Sequence, residues 1–285
     1  MNIKPPKKTA RLLFIHHSCG SNWLNDDHGR LGLALAENNY FVSDTNYGWG
    51  PDVIGDCTYT GQWWTWFRGS NSEKNLKAAC NEAGMNSLYS RPLKAPEGEN
   101  EIILFKSCYP NSYLKGSPDD LVPPITENKL RNEEFSSQYH TVGNAKGIYI
   151  DLLEYFKTRN DKLFVVITAP PVSETELAEN ARYFNNWLVN EWLKGYPYKN
   201  VAVYDFYNVL TSNDGSIDIN DLGKETGNHH RIWNGRIQHV TGEDCNINRY
   251  PSNEGDDHPS IAGNVKATAE FIDVMNYFYN EWMIG

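Results

Sequence analysis

A serine hydroxyl becomes a nucleophile when an imidazole takes its proton and a carboxylate orients that imidazole. The chain carries these groups near its two ends. The apolar run Leu12-Leu13-Phe14-Ile15 breaks off at His16-His17-Ser18-Cys19-Gly20, and ligands of open α/β sheets bind just beyond the carboxyl ends of such strands. Toward the other terminus, Asp256-Asp257-His258-Pro259 precedes an apolar-periodic stretch. His258 is therefore a candidate general base, with the preceding carboxylates available to orient it. A third candidate is Asn111 in Ser107-Cys108-Tyr109-Pro110-Asn111-Ser112, whose amide can donate to a developing oxyanion. Each residue also has a purely structural reading. Ser18 can cap a helix, Asn111 can close an Asx-turn, and Asp256 or Asp257 can cap the last helix with His258 incidental.

For these groups to meet, the elements that carry them must end on one side of a sheet. Short apolar runs predict buried strands over 12–15, 40–43, 101–107, 162–168 and 200–206. Helical periodicity runs through Leu31 and Leu35 after an Asn25-Asp26-Asp27 start, through Ile148 and Leu152, through Leu177 and Phe184, and through Val265 and Ile272. Strands alternating with helices predict one α/β domain over 1–285, built as three α/β/α layers around a doubly wound, mostly parallel five-stranded sheet. Loop insertions are expected around 45–70, 112–140 and 208–257. Ser18, Gly55, Asn111 and His258 then lie at one end of the sheet.

Composition narrows the partners. The 285 residues are 40% hydrophobic and 22% charged, with a formal net charge of -10. That balance disfavours nucleic acid and acidic polymers. The basic stretch 1–11 is followed by only four apolar residues, too few for a signal-peptide core or a membrane span. No membrane association is expected, and the location is secreted or periplasmic if a leader has been removed, otherwise cytoplasmic. Five cysteines without CxxC spacing argue against a zinc ribbon and a fully paired disulfide framework. Cys19 and Cys108 each adjoin a candidate site residue, and the strand order predicts that they are close. No cofactor is expected. Nine Trp and 17 Tyr are many, and Trp49, Trp63 and Trp64 suggest a sugar-stacking wall or, equally, an aromatic minicore under a loop. His17 and His230 are further candidate substrate contacts. Residues 213–221 are oxygen-rich, but the twelfth position of a calcium loop falls on Asp221 rather than Glu.

In this arrangement the sequence resembles the SGNH (GDSL-like) hydrolase superfamily. The resemblance rests on Asp257-His258-Pro259-Ser260-Ile261-Ala262-Gly263, on Val53-Ile54-Gly55-Asp56-Cys57-Thr58, and on Tyr109-Pro110-Asn111-Ser112 against a Gly-x-Asn-Asp block. It implies a flavodoxin-like sheet of SGNH hydrolase type and an esterase with Ser18 as nucleophile and His258 as base. It also implies an oxyanion hole of the Ser18 N–H, the Gly55 N–H and the Asn111 amide. The chain departs from the pattern at His16-His17, where the family carries Gly-Asp before the serine, and at Gly255, where the orienting Asp would stand three residues before His. Asp256 is the nearest substitute, giving a dyad or a triad of unusual geometry. The expected substrate is a carboxylic ester, with an O-acetylated carbohydrate favoured by the aromatic stretch. Two other readings stand beside it. One is a metal-dependent hydrolase using His16, His17, His229, His230, His239, Asp256, Asp257 and His258. The other is a non-catalytic glycan-binding protein on an SGNH-like fold.

Overall fold

The computed structural model describes residues 1–242 and 245–285. In chain order the elements are β1 (Ala10–Ile15), α1 (Cys19–Leu24), α2 (Leu31–Glu37), β2 (Tyr40–Thr45), α3 (Trp63–Phe67), α4 (Ser72–Asn81), β3 (Ile102–Lys106), α5 (Val142–Phe156), β4 (Leu163–Ile167), α6 (Ala178–Asn190), β5 (Val201–Tyr204) and α7 (Phe206–Val209). Two hairpins follow, β6 (His229–Trp233) with β7 (Arg236–Val240) and β8 (Pro251–Asn253) with β9 (Asp256–Pro259), and then α8 (Ile261–Ile284). The main sheet has the order β2-β1-β3-β4-β5 and every pairing in it is parallel. The five expected strands are all present, and the strand order is that of flavodoxin-like doubly wound sheets.

The period of two along each strand divides the core. Leu12 and Phe14 face a cluster with Trp23, Leu35 and Phe271, while Leu13 and Ile15 face another with Trp66, Leu152 and Phe184. Helices α1, α2, α7 and α8 cover the first face, and α3 to α6 cover the second. Both faces are therefore buried, which is why these strands read as unbroken apolar runs. No helix among the described residues is long and apolar enough to cross a membrane.

Three expectations about local structure change. Asn25 closes α1 rather than opening a helix, its N–H donating to the Ser21 carbonyl at 3.0 Å. The stretch expected to be loop up to His258 contains both hairpins, so His258 sits on β9. The cap of α8 is Ser260, whose hydroxyl accepts the Gly263 N–H, which leaves Asp256 free of any capping duty. Asp221 is neutralised by Lys266 at 2.5 Å and accepts the Ser212 hydroxyl at 2.6 Å. Protein donors thus occupy the carboxylate that a calcium loop would have offered.

The tryptophans divide in a way that composition could not show. Trp63 is wholly buried, packs on Phe105 at 4.9 Å and donates its indole N–H to the Ser107 hydroxyl at 2.9 Å. Trp64 is half-buried under the Arg131 guanidinium, and Trp49 stacks on Trp66 at 5.9 Å while bonding Glu82. Of the two readings, sugar-stacking wall or aromatic minicore, the structure favours the minicore: Trp63 belongs to the second core and Trp49 and Trp64 pack half-buried against it, because burying a ring this large releases more free energy than leaving it in a solvated loop. Trp63→Ala should cost about 3–5 kcal/mol of stability, read as a lower urea midpoint at unchanged slope. A variant as stable as the parent would return Trp63 to the solvent side.

Candidate functional site

The site grows from the turn between β1 and α1. The His16 ring is fully buried, and its Nε2 lies 3.1 Å from Asp44 Oδ2 at the end of β2. Asp44 also accepts the Asn86 N–H at 2.6 Å and the Tyr89 hydroxyl at 3.0 Å. A β-carbon on Gly20 would stand 2.4 Å from His16 Cγ, so only glycine lets α1 begin this close to the strand. Between them Ser18 is held at φ 46° and ψ -102°, a conformation costing a non-glycine residue roughly 1–3 kcal/mol. The turn is pinned by the Gly20 N–H on the His17 carbonyl and the Asn22 N–H on the Ser18 carbonyl. The Ser18 N–H is taken by no acceptor among the described residues.

Strand β9 brings the other half. Nε2 of His258 is hydrogen-bonded to the Ser18 hydroxyl, and Nδ1 lies 2.5 Å from Asp256 Oδ1. The same carboxylate accepts the His258 backbone N–H at 3.0 Å and the Ser252 hydroxyl at 2.9 Å. Asp257 points elsewhere and takes the Ser173 N–H at 2.8 Å. Ser18, His258 and Asp256 therefore form one hydrogen-bonded chain, and Asp256 can orient the ring from two residues before it. Such a chain can deprotonate the hydroxyl as it attacks an electrophile, with the imidazolium stabilised by the carboxylate.

Electrostatics reinforce the arrangement. The Cys108 sulfur lies within 4.8 Å of the same imidazole and, with Asp256, raises the His258 pKa against the opposing effect of burial. At Asp256 burial pushes the pKa up, but the His258 backbone N–H, its ring and Ser252 outweigh it and the net shift is downward. Cys19 Sγ lies 3.1 Å from Cys108 Sγ, as the adjacency of β1 and β3 requires. The Tyr47 pKa is raised by burial and by the charge of Cys108, while a hydrogen bond to Ser18 opposes the shift. His17 is pushed down to about 4 by burial and stacks on the Tyr47 ring at 4.6 Å. It supports Tyr47 from beneath.

Other candidates take different places. Gly55 donates its N–H to the Trp49 carbonyl at 2.9 Å, and a β-carbon there would meet the Asn46 carbonyl at 2.2 Å. It is committed to folding the 46–55 loop, not to an oxyanion. Asn111 accepts the Thr60 N–H at 2.8 Å and donates to the Cys108 carbonyl at 3.1 Å, leaving one amide hydrogen unassigned. His230 is buried against Tyr204 and accepts the Asp205 N–H at 2.8 Å beside β5, so it contacts no substrate at Ser18. The histidines do not gather as the metal reading required. His16 pairs with Asp44, His229 with Glu270 and His239 with Asp205. Among the described residues, the ligand-type group that does assemble is Cys19, Cys108 and His258.

Beside Ser18, His258 and Asp256 runs an open groove of about 460 Å³, lined also by Ser21, Asn22, Asn46, Tyr47 and Ser252. Of these, Asn46 and Tyr47 directly follow β2 at the sheet's carboxyl end, which is the signal that could have found them. Nothing in the sequence pointed to Ser252. The chain matches no protein-family model, no curated protein and no solved structure.

Two measurements test this geometry without an assay. Ser18→Gly should be more stable than Ser18→Ala by about 1 kcal/mol, because both lose the hydroxyl and only glycine tolerates the turn; equal stabilities would remove the strain. An NMR titration should place the His258 midpoint above 6.5, and Cys108→Ser should bring it down. An unmoved midpoint would mean that the thiol does not act on the ring.

Proposed function

We propose that the chain is a serine esterase of the SGNH (GDSL-like) type, acting on O-acyl groups of a carbohydrate. The observation that carries the reading is the hydrogen-bonded chain from the Ser18 hydroxyl through His258 to Asp256. In the first half-reaction Ser18 Oγ attacks the ester carbonyl while His258 Nε2 takes the hydroxyl proton. The tetrahedral oxyanion is met by the Ser18 N–H and by the remaining amide hydrogen of Asn111. His258 then passes its proton to the departing sugar oxygen, leaving an acyl-serine. Water, deprotonated by the same imidazole, cleaves that acyl-enzyme and restores the hydroxyl.

The groove supports the choice of substrate more directly than the tryptophans do. Its walls offer the Asn22 amide, the phenol of Tyr47 and the accepting oxygens of Ser21 and Ser252, while the Asn46 amide is engaged by Ser21, Ser87 and the Asn86 carbonyl. Such groups can replace the hydration of a polyol, whereas an apolar leaving group would gain nothing from them.

Hydrolysis of acetylated sugars and of p-nitrophenyl acetate should fall by about 10⁴-fold or more in Ser18→Ala, and by a comparable factor in Asp256→Asn. A fluorophosphonate should label Ser18 in the parent, and chelator should leave the rate unchanged. Turnover retained in Ser18→Ala, or abolished by chelator, would sink the serine mechanism. Glycan binding without turnover would favour the non-catalytic alternative.

A further inference from the structure

Two sulfurs lie close to the imidazole of His258. Cys19 Sγ and Cys108 Sγ are 3.1 Å apart, and both lie within 4.8 Å of a ring nitrogen of His258. Disulfide sulfurs sit about 2.05 Å apart, so closure needs an approach of only about 1 Å. Two thiolates sharing one tetrahedral zinc ion would stand ~3.8 Å apart, which this pair would have to open to reach. Beneath them Lys106 is wholly buried, its ammonium donating to the Ser107 carbonyl, and no carboxylate among the described residues is paired with it. A buried cation of this kind favours a neighbouring anion. Cys108, two residues further on, lies within its field, and the charge favours the ionised form of that thiol.

We infer that Cys108 and Cys19 are an oxidative modification site, a dithiol that a hydroperoxide closes to a disulfide against the imidazole of His258. Cys108 is the attacking sulfur. The hydrogen bond from the Cys19 thiol, the contact with His258 and the charge of Lys106 lower its pKa against the effect of burial, whereas burial raises that of Cys19. The thiolate attacks one peroxide oxygen, the O–O bond breaks, and hydroxide leaves as water after taking a proton. Cys19 sulfur then attacks the Cys108 sulfenic sulfur; the S–S bond forms, the S–O bond breaks, and a second water carries away the Cys19 proton. Two thiols lose two electrons and one hydroperoxide gains them. With hydrogen peroxide both products are water.

The consequence for ester turnover rests on the serine-esterase reading, while the sulfur chemistry does not. His258 is faced by Asp256 on its own strand, by Cys108 and the Tyr109 ring from the end of β3, by Ser18 and Cys19 from the start of α1, and by His28. Oxidation removes one negative charge from this set, that of Cys108. The imidazole then loses its proton more easily, and the acid limb of the pH–rate profile moves to lower pH.

The test treats the reduced full-length protein with hydrogen peroxide, counts thiols after denaturation, and maps non-reduced peptides. The titre should fall from five to three with a Cys19–Cys108 link, reversed by dithiothreitol, at doses that spare the more exposed Cys57. Burial and the charge of Asp56 raise the pKa of Cys57, so the expected order of reaction runs against exposure. In Cys19→Ser, a 1,3-dicarbonyl probe should trap a sulfenic acid at Cys108. Five surviving thiols at a dose that fully oxidises a small-molecule thiol overturns the site, as does a link to another cysteine. A sulfenic acid that forms on Cys19 in Cys108→Ser overturns the order of attack. A closed disulfide in a protein that turns over no ester supports the dithiol and removes the esterase; a closed disulfide with an unmoved acid limb overturns the coupling between them.

Discussion

The buried His16–Asp44 pair is what allows a serine to stand in a conformation it would otherwise avoid. Ser18 follows β1 by three residues and must turn the chain into α1 at φ 46°, which a free loop would relax. It does not relax here because His16 is fixed on one side and Gly20 is packed directly against that ring on the other. Asp44 extends the restraint to the Asn86 N–H and the Tyr89 hydroxyl. The end of β2 and the segment that leaves it, carrying Asn46 and Tyr47 to the groove, thus share one anchor with Ser18. A change at His16 or Gly20 is accordingly felt at the serine, although neither residue lines the groove.

The second organising feature is a row of ionisable groups that runs from the interior at Lys106 to the groove at Asp256. Lys106, Cys108 and His258 occupy a partly or wholly buried strip at the carboxyl ends of β1 and β3, and Asp256 completes it from β9. In such surroundings interactions between charges are stronger than at the surface, and a lone charge is expensive. That is a physical reason for the sulfur of Cys108 to lie beside the imidazole that the hydroxyl of Ser18 bonds. The two are not equivalent, because Ser18 lines the groove whereas Cys108 is 5% exposed. The hydroxyl is open to a molecule that fills the groove; the sulfur is open only to small reagents.

The aromatic content has a structural explanation. Trp23, Trp63, Trp66, Tyr40, Tyr204 and Tyr207 are among the largest fully buried side chains, and each finds a partner for its polar tip. Trp23 donates to Thr268, Trp63 to Ser107, Trp66 to the Cys57 carbonyl and Tyr40 to Asn276. Tyr204 and Tyr207 donate to the Ala267 and Ala178 carbonyls. These pairings remove the cost of burying a donor and make large rings acceptable on both sides of the sheet.

The five strands, their parallel arrangement and the placement of Ser18 beyond β1 were legible in the sequence, because strands buried on both faces must be apolar throughout and must stop where the chain turns. The nearness of Cys19 to Cys108 followed from the same order. Local pattern could not reveal contacts between residues far apart in the chain. Only the folded hairpin of β8 and β9 decided that Asp256, rather than Asp257 or a residue one position earlier, meets the ring of His258, since alternate residues on a strand point to opposite sides. Likewise, Gly55 looked suited to an oxyanion until the Trp49 carbonyl claimed its N–H, and Trp63 looked like a groove residue until Phe105 and Ser107 enclosed it. Residue type sets which interactions a group can make. Which of them it makes depends on the partners that tertiary packing brings within reach, and on the cost of leaving a buried donor or charge without one.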